Sequence, residues 1–411
     1  MAPSPESAPL AHRIARQLVT GASLLALASG AHKVAMFVMR ARVGRLGGAE
    51  ALGSVTSVLT VTWMVSALSH LGMPDHALVR AALPDESALA RARARHTLFL
   101  VSAFVALALS LALALPRATD AALAALLVIG AIAQHASSVT LQTLRGAGRP
   151  GLESISLAVA AALLAAGAWI ATDARAVAAS YVLSGLVFVG ALALGIRSVP
   201  ALRPARPSLA AALDEVRRSL PLFVVGVTAF GLGSSDVMVS THALGDAAVG
   251  RLTCATMVVR TGFQLPWILG TLALARTRDA GVDRARLTAG LALVAALLGA
   301  AAGGTAVLTG ELASRAFGVP LVEIDGALHV SALLAPIVYV AVVLLPLGMA
   351  LALAATLRAT LAAAAVAVVT SLALGRTHGI EGVQVGHAAG HAVLAAGIFL
   401  GLRRAPEERA A

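Results

Sequence analysis

Over 411 residues the chain is 59% hydrophobic, 12% charged and 3% aromatic, with a mean hydropathy of +0.88. That balance excludes a soluble globular domain and marks an all-α polytopic membrane protein. The formal charge of +11 comes from arginines in short clusters between apolar runs rather than from one patch, so no nucleic-acid partner is implied. Cys254 is the only cysteine, which removes intrachain disulfides, CxxC redox chemistry and cysteine zinc sites.

In chain order, residues 1 to 12 read as a disordered tail. Arg13 and Arg16 ahead of an apolar run mimic a signal peptide, but hydrophobicity continues to Met39 and a first membrane span is the better reading. Runs of about 20 apolar residues, enough to cross a bilayer, predict spans near 18–40, 52–71, 97–115, 121–143, 153–172 and 176–196. These make an N-terminal six-helix lobe over 13–197, followed by a Pro- and Arg-rich linker over 198–216. A second lobe over 217–402 holds spans near 219–240, 248–274, 287–309, 328–350, 358–374 and 380–402, and 403–411 form a second tail.

Twelve spans put both termini on one side. The side of the termini then carries 21 Lys and Arg residues and the other side 8, with Lys33 and Arg260 inside spans. By the positive-inside rule both termini are predicted to be cytoplasmic. The halves also read as copies. Paired basic residues open each, an apolar run follows, and a Gly-rich segment closes it, Leu46-Gly47-Gly48 to Gly53 in one and Leu244-Gly245 to Gly250 in the other. Thr143-Leu144-Arg145 ends the fourth span as Thr356-Leu357-Arg358 ends the tenth. Six spans per half give both the same membrane sense, so the lobes are predicted to be related by a pseudo-two-fold axis along the membrane normal, with a cleft between them.

Several motifs carry no chemistry here. The single lysine, Lys33, lies within a helix, so there is no P-loop and no ATP-driven pump. Gly146 to Gly151 fits GxGxxG but joins two spans without a βαβ unit, and reads as a tight turn. HExxH and GxSxG are absent. His387 and His391 have the i, i+4 spacing of a metal pair, but the Gly382, Gly386, Gly390 row beside them favours close helix packing. His32, His70 and His135 are isolated and read as structural. No cofactor or metal is implied.

The charges inside spans are more informative, since a charge at the helix centre costs roughly 2.5–3.5 kcal/mol on insertion scales and seeks a partner or a wet cavity. Arg260 lies near the middle of the eighth span, with Gln264 one turn on. Lys33 and Asp236 lie past the centres of the first and seventh spans, on the non-cytoplasmic side and at similar depth. The plainer readings are that Lys33 snorkels to the interface and that the helix ends at Ser234-Ser235 ahead of Asp236. Arg40, Arg42 and Arg45 run against the positive-inside trend and suggest a cationic vestibule, or contacts with lipid head groups.

Arg217-Arg-Ser-Leu-Pro221, Ser234-Ser-Asp236 and Leu244-Gly245 with Val249-Gly250 resemble the start of the second half in bacterial polysaccharide (O-antigen type) flippases, members of the multidrug/oligosaccharidyl-lipid/polysaccharide exporter superfamily. Arg45-Leu-Gly47, Gly53, Leu71-Gly-Met-Pro74 and Thr377-His-Gly-Ile380 agree. The drug-exporting relatives usually carry a proline and an acid early in the first helix, and neither is present; the lipid II branch usually has two extra helices. The resemblance implies alternating access by two six-helix lobes in the bacterial cytoplasmic membrane. The cargo it implies is an undecaprenyl-pyrophosphate-linked oligosaccharide, a polyprenyl-linked anionic glycan, coupled to a cation, proton or sodium, by a monomer rather than an enzyme. Head-group contact is then expected from Lys33, Arg260 and Gln264, and from Arg40 and Arg42. Asp236 is expected to pair with Lys33 across the lobes and to act as the coupling gate. The alternatives are a cation-coupled multidrug exporter and a membrane-embedded glycan polymerase or glycosyltransferase. The second would need a large extracytoplasmic loop, and the longest candidate, about 310–328, is short.

Overall fold

The structure, a computed structural model, describes residues 10–74, 86–146, 150–199, 202–205, 208–263, 265–267, 269–270, 273 and 284–404. Those residues form helices and connecting turns: α1 (Leu10–Ser69), α2 (Glu86–Ala114), α3 (Ala121–His135), α4 (Ser138–Gly146), α5 (Gly151–Ile170), α6 (Ala174–Ser198), α7 (Leu209–Gly233), α8 (Ser235–Ala243), α9 (Asp246–Thr261), α10 (Arg284–Leu308), α11 (Gly310–Phe317), α12 (Leu321–Leu351) and α13 (Leu353–Arg404). Among the described residues nine helices are long and apolar enough to cross a membrane. Two of them hold two predicted spans each: α1 breaks at Gly48 and α13 at Gly379, both at positive φ. With α9, which starts the eighth predicted span, the twelve expected spans are accounted for.

The sequence boundaries shift in two places. α7 begins at Leu209, so part of the expected linker is helix, and Thr97 of α2 holds Ala205 through its amide and carbonyl. The first tail gives way to α1 at Leu10, with residues 1–9 outside the described part. Residues 147–149 of the GxGxxG turn, Arg276 to Gly281 in the loop after the eighth predicted span, and 405–411 also lie outside it.

Small residues set the packing, as composition demands where lipid leaves no hydrophobic driving force between helices. The glycine row of α13 is the clearest case. A Cβ on Gly382 would sit 2.2 Å from the Leu374 carbonyl, on Gly386 2.3 Å from the Ser371 nitrogen, and on Gly390 2.6 Å from Ala367. Those partners run backward along the chain, so the halves of α13 fold on each other as an antiparallel hairpin. One core gathers residues such as Met39, Leu59, Leu127 and Leu164 of the first lobe, and another gathers Leu252, Ala327, Tyr339 and Ile398 of the second.

The two lobes meet through the repeated glycines. Gly48 and Gly245 both have positive φ, and Gly53 and Gly250 follow each by five residues. A Cβ on Gly53 would overlap the carbonyl of Asp246 at 1.7 Å, and one on Gly250 would overlap that of Ala49 at 1.8 Å. Asp246 follows Gly245 as Ala49 follows Gly48, so the contacts are reciprocal, as a two-fold axis through the interface requires. Side chains extend this closure: Ser57 Oγ lies 3.0 Å from Thr241 Oγ1, and Thr253 3.3 Å from Thr56. At the opposite end, Arg95 of α2 pairs with Glu215 of α7, both buried.

Candidate substrate cavity

Below the glycine closure lies a cavity of about 520 Å³. α1 supplies His32, Lys33, Arg40 and Trp63, and α9 supplies Met257, Arg260 and Thr261. The break between α3 and α4 at Ala136–Ser137 turns Gln134, His135, Ser138 and Gln142 to the same space. Glu153 is the only carboxylate lining it among the described residues, and Arg145 grips both of its oxygens.

The cations differ in how they are held. Lys33 is exposed on the cavity wall. The Arg40 guanidinium lies 5.7 Å from the Trp63 ring centre, within cation–π range, and donates to Met257 Sδ at 3.4 Å. Its Nε is buried with no acceptor. Neither Lys33 nor Arg40 has a carboxylate within ion-pair distance among the described residues. Arg260 is one-quarter exposed to the cavity and pairs with Asp236, which is buried. In the register set by Gly48 and Gly245, Arg260 takes the place that Trp63 holds in the first half.

Asp236 departs from its expected partner. The helix does break at Ser234, which puts Asp236 in the first turn of α8, where one carboxylate oxygen accepts from the Val237 amide at 2.9 Å. Its ionic partners are Arg260 and, at 3.9 Å, His387, all within the second lobe; the Asp236–Lys33 pair is not formed. The reason is depth. Asp236 lies 9 residues before Gly245, whereas Lys33 lies 15 before Gly48, a difference of roughly 9 Å at helical rise. Behind Arg260 these groups line a second cavity of about 30 Å³ with Thr256, Ser331 and Gln384. Ser235 Oγ lies 3.0 Å from His387 Nδ1, and the His391 ring centre lies 4.4 Å from that of His387, the two rings tilted by 52°.

Thus the structure brings Lys33, Arg40 and Arg260 to one cavity and sets Asp236 directly behind Arg260. Arg42 goes elsewhere: its Nε and Nη2 donate to the Ala171 carbonyl at 3.1 and 2.6 Å, capping the end of α5. Gln264 lies outside the described residues. His387, read from sequence as a packing residue, and Glu153, at the start of a predicted span, were missed. Polar residues interrupting an apolar run, as at Gln134 to Gln142, were the available signal.

No protein-family model and no curated protein matches the chain. Solved structures do. An inward-facing multidrug resistance MATE family transporter of the MOP superfamily superposes with a TM-score of 0.66 at 15% identity, over 92% of this chain and 93% of that one. The lipid II flippase MurJ in an inward closed conformation gives 0.74 at 9% identity, over 92% and 87%. A MATE transporter of Vibrio cholerae, VcmN, gives 0.62 at 12% identity, over 96% and 97%. The chain therefore has the fold shared by MATE multidrug transporters and the MurJ lipid II flippase, two lobes around a central cavity.

Proposed function

We propose that the protein is a flippase that moves an undecaprenyl-pyrophosphate-linked oligosaccharide across the bacterial cytoplasmic membrane by alternating access, for surface polysaccharide assembly. One observation carries the reading: the central cavity holds Lys33, Arg40 and Arg260, while its single described carboxylate, Glu153, is already neutralised by Arg145. Lys33 and Arg40 have no counter-charge among the described residues, whereas Arg260 has Asp236; a cation at membrane depth is costly, and a pyrophosphate supplies the missing charge through charge-assisted hydrogen bonds. Lys33 and Arg40 take the phosphates from one wall and Arg260 from the other. The glycine end is the periplasmic gate, closed here, and both termini face the cytoplasm. Cation coupling, by proton or sodium, is assigned to the second-lobe cluster at Asp236.

The test is flipping of a lipid-linked glycan by full-length protein in liposomes. Lys33→Met and Arg40→Met should each cut the rate by about tenfold or more, on the order of 1.4 kcal/mol of head-group interaction, with folding unchanged by size exclusion. Native rates in both variants would reject the assignment. A multidrug exporter is the second reading, favoured by the Met36, Trp63, Phe188, Phe230 and Met257 surfaces in the same cavity. It predicts drug efflux that survives loss of Lys33 and Arg40.

A further inference from the structure

Among the described residues, Arg260 alone lines both the central cavity and the small cavity behind it. Its guanidinium is held from behind by Asp236, whose side chain is 2% exposed and has no face on the central cavity, whereas the Arg260 side chain is 25% exposed. An anion entering the central cavity therefore meets Arg260 from one side while a fixed carboxylate holds it from the other. Lys33 and Arg40 have no such carboxylate among the described residues.

We propose that Asp236 and the transported anion compete for the guanidinium of Arg260, so that the carboxylate is a built-in anion that displaces the cargo and resets the site. The inference rests on the head-group reading above. A cavity with three cations and no competitor would hold a pyrophosphate too tightly to release it; Asp236 supplies the return pull. When Arg260 turns toward the cargo, Asp236 must not be left bare, since an unpaired buried charge is strongly destabilising. The small cavity is furnished for that moment. His387 Nδ1 lies 3.9 Å from Asp236 Oδ1, the oxygen that accepts from the Val237 amide, and both amide atoms of the buried Gln384 lack partners. A volume of about 30 Å³ leaves room for the carboxylate to turn or for one water.

The experiment is a double-mutant cycle on full-length protein in nanodiscs, with farnesyl pyrophosphate as probe and both affinity and dissociation rate measured. Arg260→Gln should weaken binding. Asp236→Asn should tighten it by about tenfold with slower dissociation, and slow glycan-lipid flipping although binding improves. Asp236→Asn on the Arg260→Gln background should change nothing further, and Asp236→Glu should return affinity toward native. A purely structural ion pair would instead give weaker binding in Asp236→Asn. Unchanged or weaker binding in Asp236→Asn, with Arg260→Gln still weakened, overturns the competition and leaves the head-group reading standing. Unaltered binding in Arg260→Gln overturns both. If Asp236→Asn does not fold, the ¹³Cγ signal of Asp236 in native protein decides: it must shift on saturation with the probe and stay fixed in Arg260→Gln. A signal that saturation leaves unmoved overturns the proposal.

Discussion

At the scale of single residues, a charge inside this membrane protein is informative only once its partner is known. Arg42 and Arg40 are two residues apart, yet one caps a helix and the other faces the cavity with its Nε unpartnered. Replacing Arg42 by Met should therefore lower thermal stability, by about 1.5–3 kcal/mol for a lost charge-assisted hydrogen bond, and leave farnesyl pyrophosphate affinity unchanged. Thermal unfolding and calorimetry on the same sample separate the two effects. Asp120 is a second structural charge, capping α3 through the Leu123 amide at 3.0 Å and pairing with Arg175 at 2.8 Å. The Arg175 hydrogen bond first, then the Leu123 amide, hold its carboxyl below the ordinary carboxylate value. A depressed folded pKa means stability present above the unfolded pKa and lost as pH falls through the folded one. Asp120→Ala should thus melt earlier than native protein at neutral pH, by about 1 kcal/mol for the cap. The difference should close on acidification below the carboxylate range, as a pH series of melts will show.

Helices in this chain are placed by what they lack. The α13 hairpin depends on Gly386, where even a methyl group meets the Ser371 backbone. Gly386→Ala should cost roughly 1–3 kcal/mol of stability by overpacking. Gly304, in α10, has open space around its missing Cβ, so Gly304→Ala should be neutral or stabilising through helix propensity. Comparing the two melts in one detergent distinguishes packing from propensity. Element breaks matter as much: the interruptions at Ser234 and at Ala136–Ser137 are where Asp236 and the cavity-lining Gln134 to Gln142 segment depart from regular helix. The first was legible as Ser234-Ser235; the second had only the polar residues of Gln134 to Gln142 as a signal, within a run long enough to read as one continuous span.

For the whole molecule, the reciprocal glycine contacts close the cavity at one end, and the proposed function makes that closure the gate. If the lobes exchange access by separating at that end, fastening it must stop transport. Ser57 and Thr241 face each other across the gate with hydroxyl oxygens 3.0 Å apart, close enough for two cysteines to bridge. In a Cys254→Ala background, the Ser57→Cys/Thr241→Cys protein should lose flipping on oxidation and recover it with reductant. Activity in the oxidised, crosslinked sample would show that this closure does not move.

The membrane class, the twelve spans, the two-fold repeat and the two in-span cations Lys33 and Arg260 were legible in the chain, because run length and the cost of a charge in lipid act along one dimension; Arg40 stood beside Arg42 and Arg45, and only the structure set it apart from them by placing it on the cavity. The pairing was not. Arg260 takes Asp236 from 24 residues away, Arg42 reaches a carbonyl 129 away, and Ser235 meets His387 across 152. Such partners are chosen by which helix faces meet and at what depth. A shift of six residues between the halves, invisible to periodicity, separated Asp236 from Lys33 and left it to Arg260.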